Sequence, residues 1–144
     1  MEETLVGVKK TEEFASRFLS TLTPAKNGAT LVGLSGDLGS GKTTFVKYLA
    51  KALHVEEEIV SPTFILAKYY TLSGQKWKQM IHIDGYRLDV PDEIGVLKWE
   101  DMLADNNNLV FFEWPERIAE RFPSTAKMLR FTFIDEQTRN VEVS

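Results

Sequence analysis

The sequence predicts an α/β fold in a single domain: a mixed, mostly parallel central sheet flanked by helices, with antiparallel hairpin additions. Three observations predict it. A short apolar run at 30–34 leads into a glycine-rich loop and then into apolar residues at helical spacing. Two further runs, a strand-like one at 77–83 and an apolar one at 109–112, are each followed by a carboxylate, Asp84 and Glu113. Two pairs of strand-like runs are separated by short turns at 73–76 and 135–138, the pattern of antiparallel hairpins.

Taken in order, residues 4–8 read as an edge strand. Over 11–22, Phe14, Ala15, Phe18, Leu19 and Leu22 share one helical face, and Glu12 and Glu13 suit its first turn. A loop at 24–29 leads into the strand at 30–34. The helix after the glycine loop ends near His54, which reads as a cap, and Glu56, Glu57 and Glu58 read as a solvated loop. Residues 65–72 and 77–83 form a hairpin, in which His82 alternates with Ile81 and Ile83 and reads as a strand residue with a satisfied imidazole. Residues 91–104 predict a helix directed inward through Ile94, Leu97, Met102 and Leu103. A buried strand at 109–112 follows, then a short helix from Trp114 and Pro115 to about Arg121, then a closing hairpin at 128–134 and 139–143.

Composition narrows the class. The 144 residues suffice for one core, and no repeat, linker or low-complexity tract divides them, so residues 1–144 read as one domain. The absence of cysteine excludes disulfides and thiolate metal sites and suits a reducing cytoplasm. Met1, Glu2 and Glu3 make an acidic start unlike a signal peptide, and no run of about eighteen apolar residues would span a membrane. A cytoplasmic protein without membrane contact is expected. Seventeen basic against 21 acidic residues, net −4, argue against charge-driven nucleic-acid binding by this chain alone.

The chemistry concentrates at Gly36, Asp37, Leu38, Gly39, Ser40, Gly41, Lys42 and Thr43, which satisfy G-x-x-x-x-G-K-S/T at every fixed position. Glycines permit a tight turn that aims backbone N–H groups at a phosphate, and the following helix adds its positive N-terminal end. Lys42 can reach the β- and γ-phosphates, the Thr43 hydroxyl can ligate Mg²⁺, and Thr44 lies in the first turn beside them. The fold is therefore a P-loop NTPase fold. No Asn-Lys-x-Asp run selects guanine, so ATP is the expected nucleotide. Ligands of open α/β sheets lie beyond the carboxyl ends of strands, where Asp84 and Glu113 also fall. Either can serve Mg²⁺ and either can orient water; spacing leaves the assignment open. Thr63 is either a switch hydroxyl that senses the γ-phosphate or part of a Ser-Pro-Thr turn entering a strand. Trp114 either stacks on a base or partner or packs in the core. Arg87, Arg117 and Arg121 read by default as solvated surface.

Four landmarks then line up: G-D-L-G-S-G-K-T-T-F at 36–45, S-P-T-F at 61–64, H-I-D-G-Y-R-L at 82–88 and E-W-P-E at 113–116. Together they resemble the TsaE (YjeE) family of small bacterial ATPases, over roughly 31–116. The resemblance implies an ATPase that supports threonylcarbamoyl transfer to adenosine 37 of tRNA (t6A). It also implies association with the TsaB–TsaD heterodimer, in which TsaD transfers the group; the net charge of −4 suggests that tRNA is met indirectly, held mainly by the other subunits. Lys42 and Thr43 would serve phosphate and Mg²⁺, Thr63 the switch, Asp84 and Glu113 metal and attacking water, and Trp114 would neighbour the nucleotide. Two departures stand out. Gly85 replaces a bulkier apolar residue, which predicts looser packing there, and Lys98 stands near a position where the family often has glycine. No internal arginine finger is identifiable, so slow turnover alone is expected. The rival readings are a small-molecule kinase and a nucleotide-gated binding module with incidental hydrolysis.

Overall fold

A computed structural model of the chain describes residues 1–37, 39–57 and 67–144. Leu38, Glu58, Ser61, Pro62, Thr63 and Phe64 lie outside the described residues, and with them the expected switch and the start of the first hairpin.

The strand-like runs assemble into one sheet. In chain order the described elements are β1 (Glu2–Val6), α1 (Gly7–Thr21), β2 (Thr30–Ser35), α2 (Lys42–Ala52), β3 (Ala67–Thr71), β4 (Gln79–Asp84), α3 (Trp99–Ala104), β5 (Asn108–Glu113), β6 (Lys127–Asp135) and β7 (Thr138–Val143). Three 3₁₀ segments, Gly85–Arg87, Pro91–Leu97 and Pro115–Arg121, complete them. The sheet order is β1-β7-β6-β2-β5-β4-β3. Its middle strands β6, β2, β5 and β4 run parallel, and antiparallel pairings of β3 with β4, β6 with β7 and β7 with β1 extend both edges. This is the mixed α/β architecture that the sequence predicts.

Strand alternation divides the core into two layers. Leu109 and Phe111 join the layer under α1 and α2, with Phe14, Phe45 and Leu49. Val110 and Phe112 face the opposite layer, with Trp99, Ile94 and Ile118. All six residues of β5 are buried, as a strand covered on both faces requires. Because β2, β4 and β5 are parallel, they end on the same side, and the register sets Glu113 opposite both Leu34 and Asp84. Among the described residues no helix is long and apolar enough to cross a membrane.

Three local expectations need correction. The first helix starts at Gly7, not at residue 11. Gly7 takes φ 79 and lets the chain turn directly out of β1, while the Thr11 hydroxyl donates back to the Gly7 carbonyl at 2.9 Å and so sits inside the helix. The helix expected over 91–104 is a 3₁₀ segment followed by α3, broken at Lys98, which adopts φ 53 and ψ 56. Its main anchor is Trp99, 2% exposed, whose indole N–H donates to the Arg121 carbonyl at 3.2 Å. Packing at Gly85 is tight rather than loose. A Cβ there would lie 2.7 Å from the Phe112 ring and 2.9 Å from the carbonyl oxygens of Glu113 and Trp114. By contrast, His54 does cap α2: it takes φ 61, its N–H bonds the Lys51 carbonyl and that of Val55 bonds Ala50, a Schellman motif.

Candidate nucleotide-phosphate site

The loop between β2 and α2 depends on left-handed backbone. Gly36 and Gly41 take φ 134 and 102. A side chain at Gly36 would collide with the Phe131 carbonyl, so glycine is required there sterically as well as conformationally; at Gly41 the positive φ is what requires it. Lys42 turns back under this loop. Its ammonium donates to the carbonyls of Gly36 and Asp37, the latter at 2.9 Å, and lies 3.4 Å from the Ser40 hydroxyl. It also sits 4.1 Å from the centre of the Trp114 ring, a cation–π distance. Burial holds the Lys42 ammonium below its usual range, against the opposing charges of Glu113 and Glu116.

The carboxyl ends of β4 and β5 supply the acids. The Thr43 hydroxyl donates across both oxygens of Glu113, at 2.9 and 3.0 Å. On its other side the Glu113 Oε2 lies 2.5 Å from Nε2 of His82, whose side chain is fully buried. Asp84 accepts the Tyr86 backbone N–H at 3.0 Å. Burial raises the Asp84 carboxyl above the usual 3.8; the Tyr86 hydrogen bond opposes that shift and the charge of Glu113 adds to it.

Trp114 is held at the left-handed angles φ 64 and ψ 52, rare for a bulky residue and typical of functional positions. Its N–H bonds the Leu34 carbonyl at 3.0 Å, tying the end of β5 to the P-loop strand. Its ring meets Tyr86 at 5.1 Å, and the Arg117 guanidinium lies over the Tyr86 ring at 5.0 Å. From the closing hairpin Arg139 reaches the loop and donates Nε–H to the Ser40 carbonyl at 3.0 Å.

The structure thus brings Gly39, Gly41, Lys42, Thr43, Thr44, Asp84, Glu113 and Trp114 to one open groove, of about 260 Å³, with Tyr86 and Arg139 in its wall. Ser40 is buried beneath the loop, and Asp37 takes part through its carbonyl. Thr44 also lines a neighbouring cavity between the starts of α1 and α2, of about 140 Å³, with Thr11, Tyr48 and Gln137. Leu38 and Thr63 cannot be placed, being outside the described residues. Arg87, Arg117 and Arg121 line neither cavity; Arg121 pairs with Asp92 at 2.6 Å. Sequence reasoning passed over Arg139 and Tyr86 and read His82 as a strand residue with a satisfied imidazole, whereas only its Nε2 finds a partner among the described residues. Arg139 carries no local signal, since its partner lies 99 positions away. His82 carries a faint one, standing two residues before Asp84 on the strand that pairs with β5. One hydroxyl and two carboxylates at the mouth of the loop are hard oxygen donors, few enough to suit Mg²⁺, which keeps several waters.

A family profile described as "Threonylcarbamoyl adenosine biosynthesis protein TsaE" matches residues 6–141. The chain belongs to the TsaE family. Its relatives include the tRNA threonylcarbamoyladenosine biosynthesis protein TsaE of a Nostoc species, 40% identical over 119 residues, which span 80% of this chain and 70% of the relative. TsaE of Rickettsia bellii is 35% identical over 132 residues, 91% of this chain and 85% of its own. A crystal structure of YdiB from Bacillus subtilis has the same fold, with a TM-score of 0.74 at 20% identity, covering 98% of this chain and 82% of YdiB. The match to the TsaE profile runs well past the four landmarks and takes in α1 and the hairpin that carries Arg139.

Proposed function

We propose that this chain is a Mg²⁺-dependent ATPase that supports threonylcarbamoyl transfer to tRNA adenosine in the cytoplasm, acting with TsaB and TsaD. One observation carries the ATPase reading: the Thr43 hydroxyl sits on the Glu113 carboxylate directly beside Lys42, at the mouth of a glycine loop. The names of the curated relatives support the pathway.

In this reading the loop N–H groups and Lys42 take the β- and γ-phosphates, exchanging the loop carbonyls that now hold the ammonium for phosphate oxygens. Thr43 and Glu113 would hold Mg²⁺, which when bound neutralises charge on the β- and γ-oxygens. Asp84, from the adjacent strand, orients the attacking water for in-line displacement. The cavity beside Thr44, walled by Val8 and Tyr48 with Thr11 and Gln137 at hand, receives the base. Arg139 lines the groove and braces the loop through Ser40, and a partner would supply further acceleration by an arginine over the phosphates. TsaB–TsaD would supply that acceleration and hold the tRNA.

The test is phosphate release from ATP with Mg²⁺, with and without TsaB–TsaD and tRNA, beside a Lys42→Ala control. Slow release that rises with the heterodimer and disappears in the control is the expected result. Release that requires a small phosphate acceptor would replace the proposal with a kinase. ATP binding that supports t6A formation without any release would leave a nucleotide gate.

A further inference from the structure

Five polar or charged side chains are buried among the described residues: Ser40, Lys42, His82, Asn108 and Glu113. Ser40, Lys42 and Glu113 belong to the phosphate site, and Asn108 ties the Met102 carbonyl at 3.0 Å. His82 has no part in the chemistry above. It stands inside β4, paired in register with Phe111, and is fully buried.

A carboxylate can only accept, so the 2.5 Å contact to Glu113 puts the proton on Nε2 of His82. In the neutral ring Nδ1 is then a bare acceptor, and among the described residues it has no hydrogen-bond partner. Burying such an atom is unfavourable, and a leucine would fill the position without it. Packing therefore gives no reason for an imidazole here, whereas Glu113 does. The other donor to Glu113, Thr43, belongs to the turn that must meet phosphate and Mg²⁺. His82 is anchored in the sheet and is the donor that stays in place.

We propose that His82 is a positioning residue. By donating Nε2–H to Oε2 of Glu113 it fixes the plane of the carboxylate and keeps Oε1 turned toward Thr43 and the groove. It acts through Glu113 and touches neither nucleotide nor metal. The inference rests on the ATPase reading, and the test separates the two.

Long-range ¹H–¹⁵N spectra of the nucleotide-free protein, which has only two histidines, report the tautomer directly. A buried Nε2-protonated ring whose resonances move in Glu113→Gln is expected; an Nδ1-protonated ring would overturn the proposal. In turnover, His82→Leu should lower kcat by roughly 10–100-fold, as loss of an outer-shell partner does. ATP affinity measured without Mg²⁺ should change less than about 2-fold, because the phosphate contacts are untouched. His82→Gln, which can present an amide N–H near the same place, should recover most of that loss. Full activity in His82→Leu, or a folded His82→Gln no better than His82→Leu, refutes the positioning role. Failure of both variants to fold assigns His82 to the core instead. An inactive parent protein would count against the ATPase reading, while the spectra would still decide the His82–Glu113 bond.

Discussion

Thr43 and Glu113, 70 positions apart, are joined by one hydroxyl proton shared between two carboxylate oxygens at 2.9 and 3.0 Å. That link couples the start of α2 to the end of β5, the two places where a nucleotide and its metal would be held. Glu113→Gln keeps the shape but removes the charge. We expect phosphate release to fall by about 10²-fold or more, as for other groups that stabilise transition-state charge, with metal-free ATP binding retained. Calorimetric titration of ATP with and without Mg²⁺ checks it. Unchanged Mg²⁺ dependence in the variant would remove Glu113 from the metal site.

Asp84 supplies a pH dependence. Its carboxyl is raised in the folded chain by burial, so the native state holds the proton more tightly than the unfolded state does. Its contribution is fully present below the ordinary value of 3.8 and is lost as pH rises through the raised folded value. Asp84→Asn keeps an acceptor for the Tyr86 N–H and removes the charge. In metal-free buffer it should be more stable than the parent at neutral pH, with the gap closing as the buffer is acidified toward 3.8. Denaturant midpoints along a pH series measure this, and turnover of the same variant should be strongly reduced.

Arg139 and Ser40 predict a defect of another kind. Arg139→Ala removes a charge-assisted hydrogen bond to the loop backbone and unsettles Gly41, which it abuts. Such a bond contributes about 1.5–3 kcal/mol. Part of that should appear as an ATP dissociation constant raised by roughly 10-fold, and the remainder as lower thermal stability. An unchanged constant would confine Arg139 to holding the hairpin turn through the carbonyls of Asp135 and Thr138.

Lys98 and Gly85 should respond in opposite directions. Lys98 carries a side chain at φ 53, where a residue with a Cβ loses roughly 1–2 kcal/mol. Lys98→Gly relieves this at an entropic cost of about 0.5–1 kcal/mol, for a net gain of a few tenths to about 1 kcal/mol. Gly85→Ala forces a methyl against Phe112 and two carbonyls, and should destabilise by about 1–3 kcal/mol and disturb Asp84 and Glu113 on either side. Urea midpoints of both variants, with ATP turnover of the second, decide the point.

The glycine loop was legible because its requirements are local. Glycines at fixed intervals, a lysine and a threonine at the helix start, and apolar strands ending in Asp84 and Glu113 are all visible in short windows. The closing hairpin and the buried middle strand followed from the same periodicities, since a strand buried on both faces must read as an unbroken apolar run, as 109–112 does. The break at Lys98 was not legible: the helical period continues through it, and the burial of Trp99 against Phe112 at 5.4 Å overrides local preference.

By itself, then, the sequence determined the fold class, the loop and the two strand-end carboxylates, because each is encoded by neighbours along the chain. Only the tertiary structure decided which carboxylate meets Thr43, that His82 contacts it, and that Arg139 reaches Ser40. Those contacts span 70, 31 and 99 positions. They arise from strand order and register, which place β5 between β2 and β4 and carry the closing hairpin back to the loop.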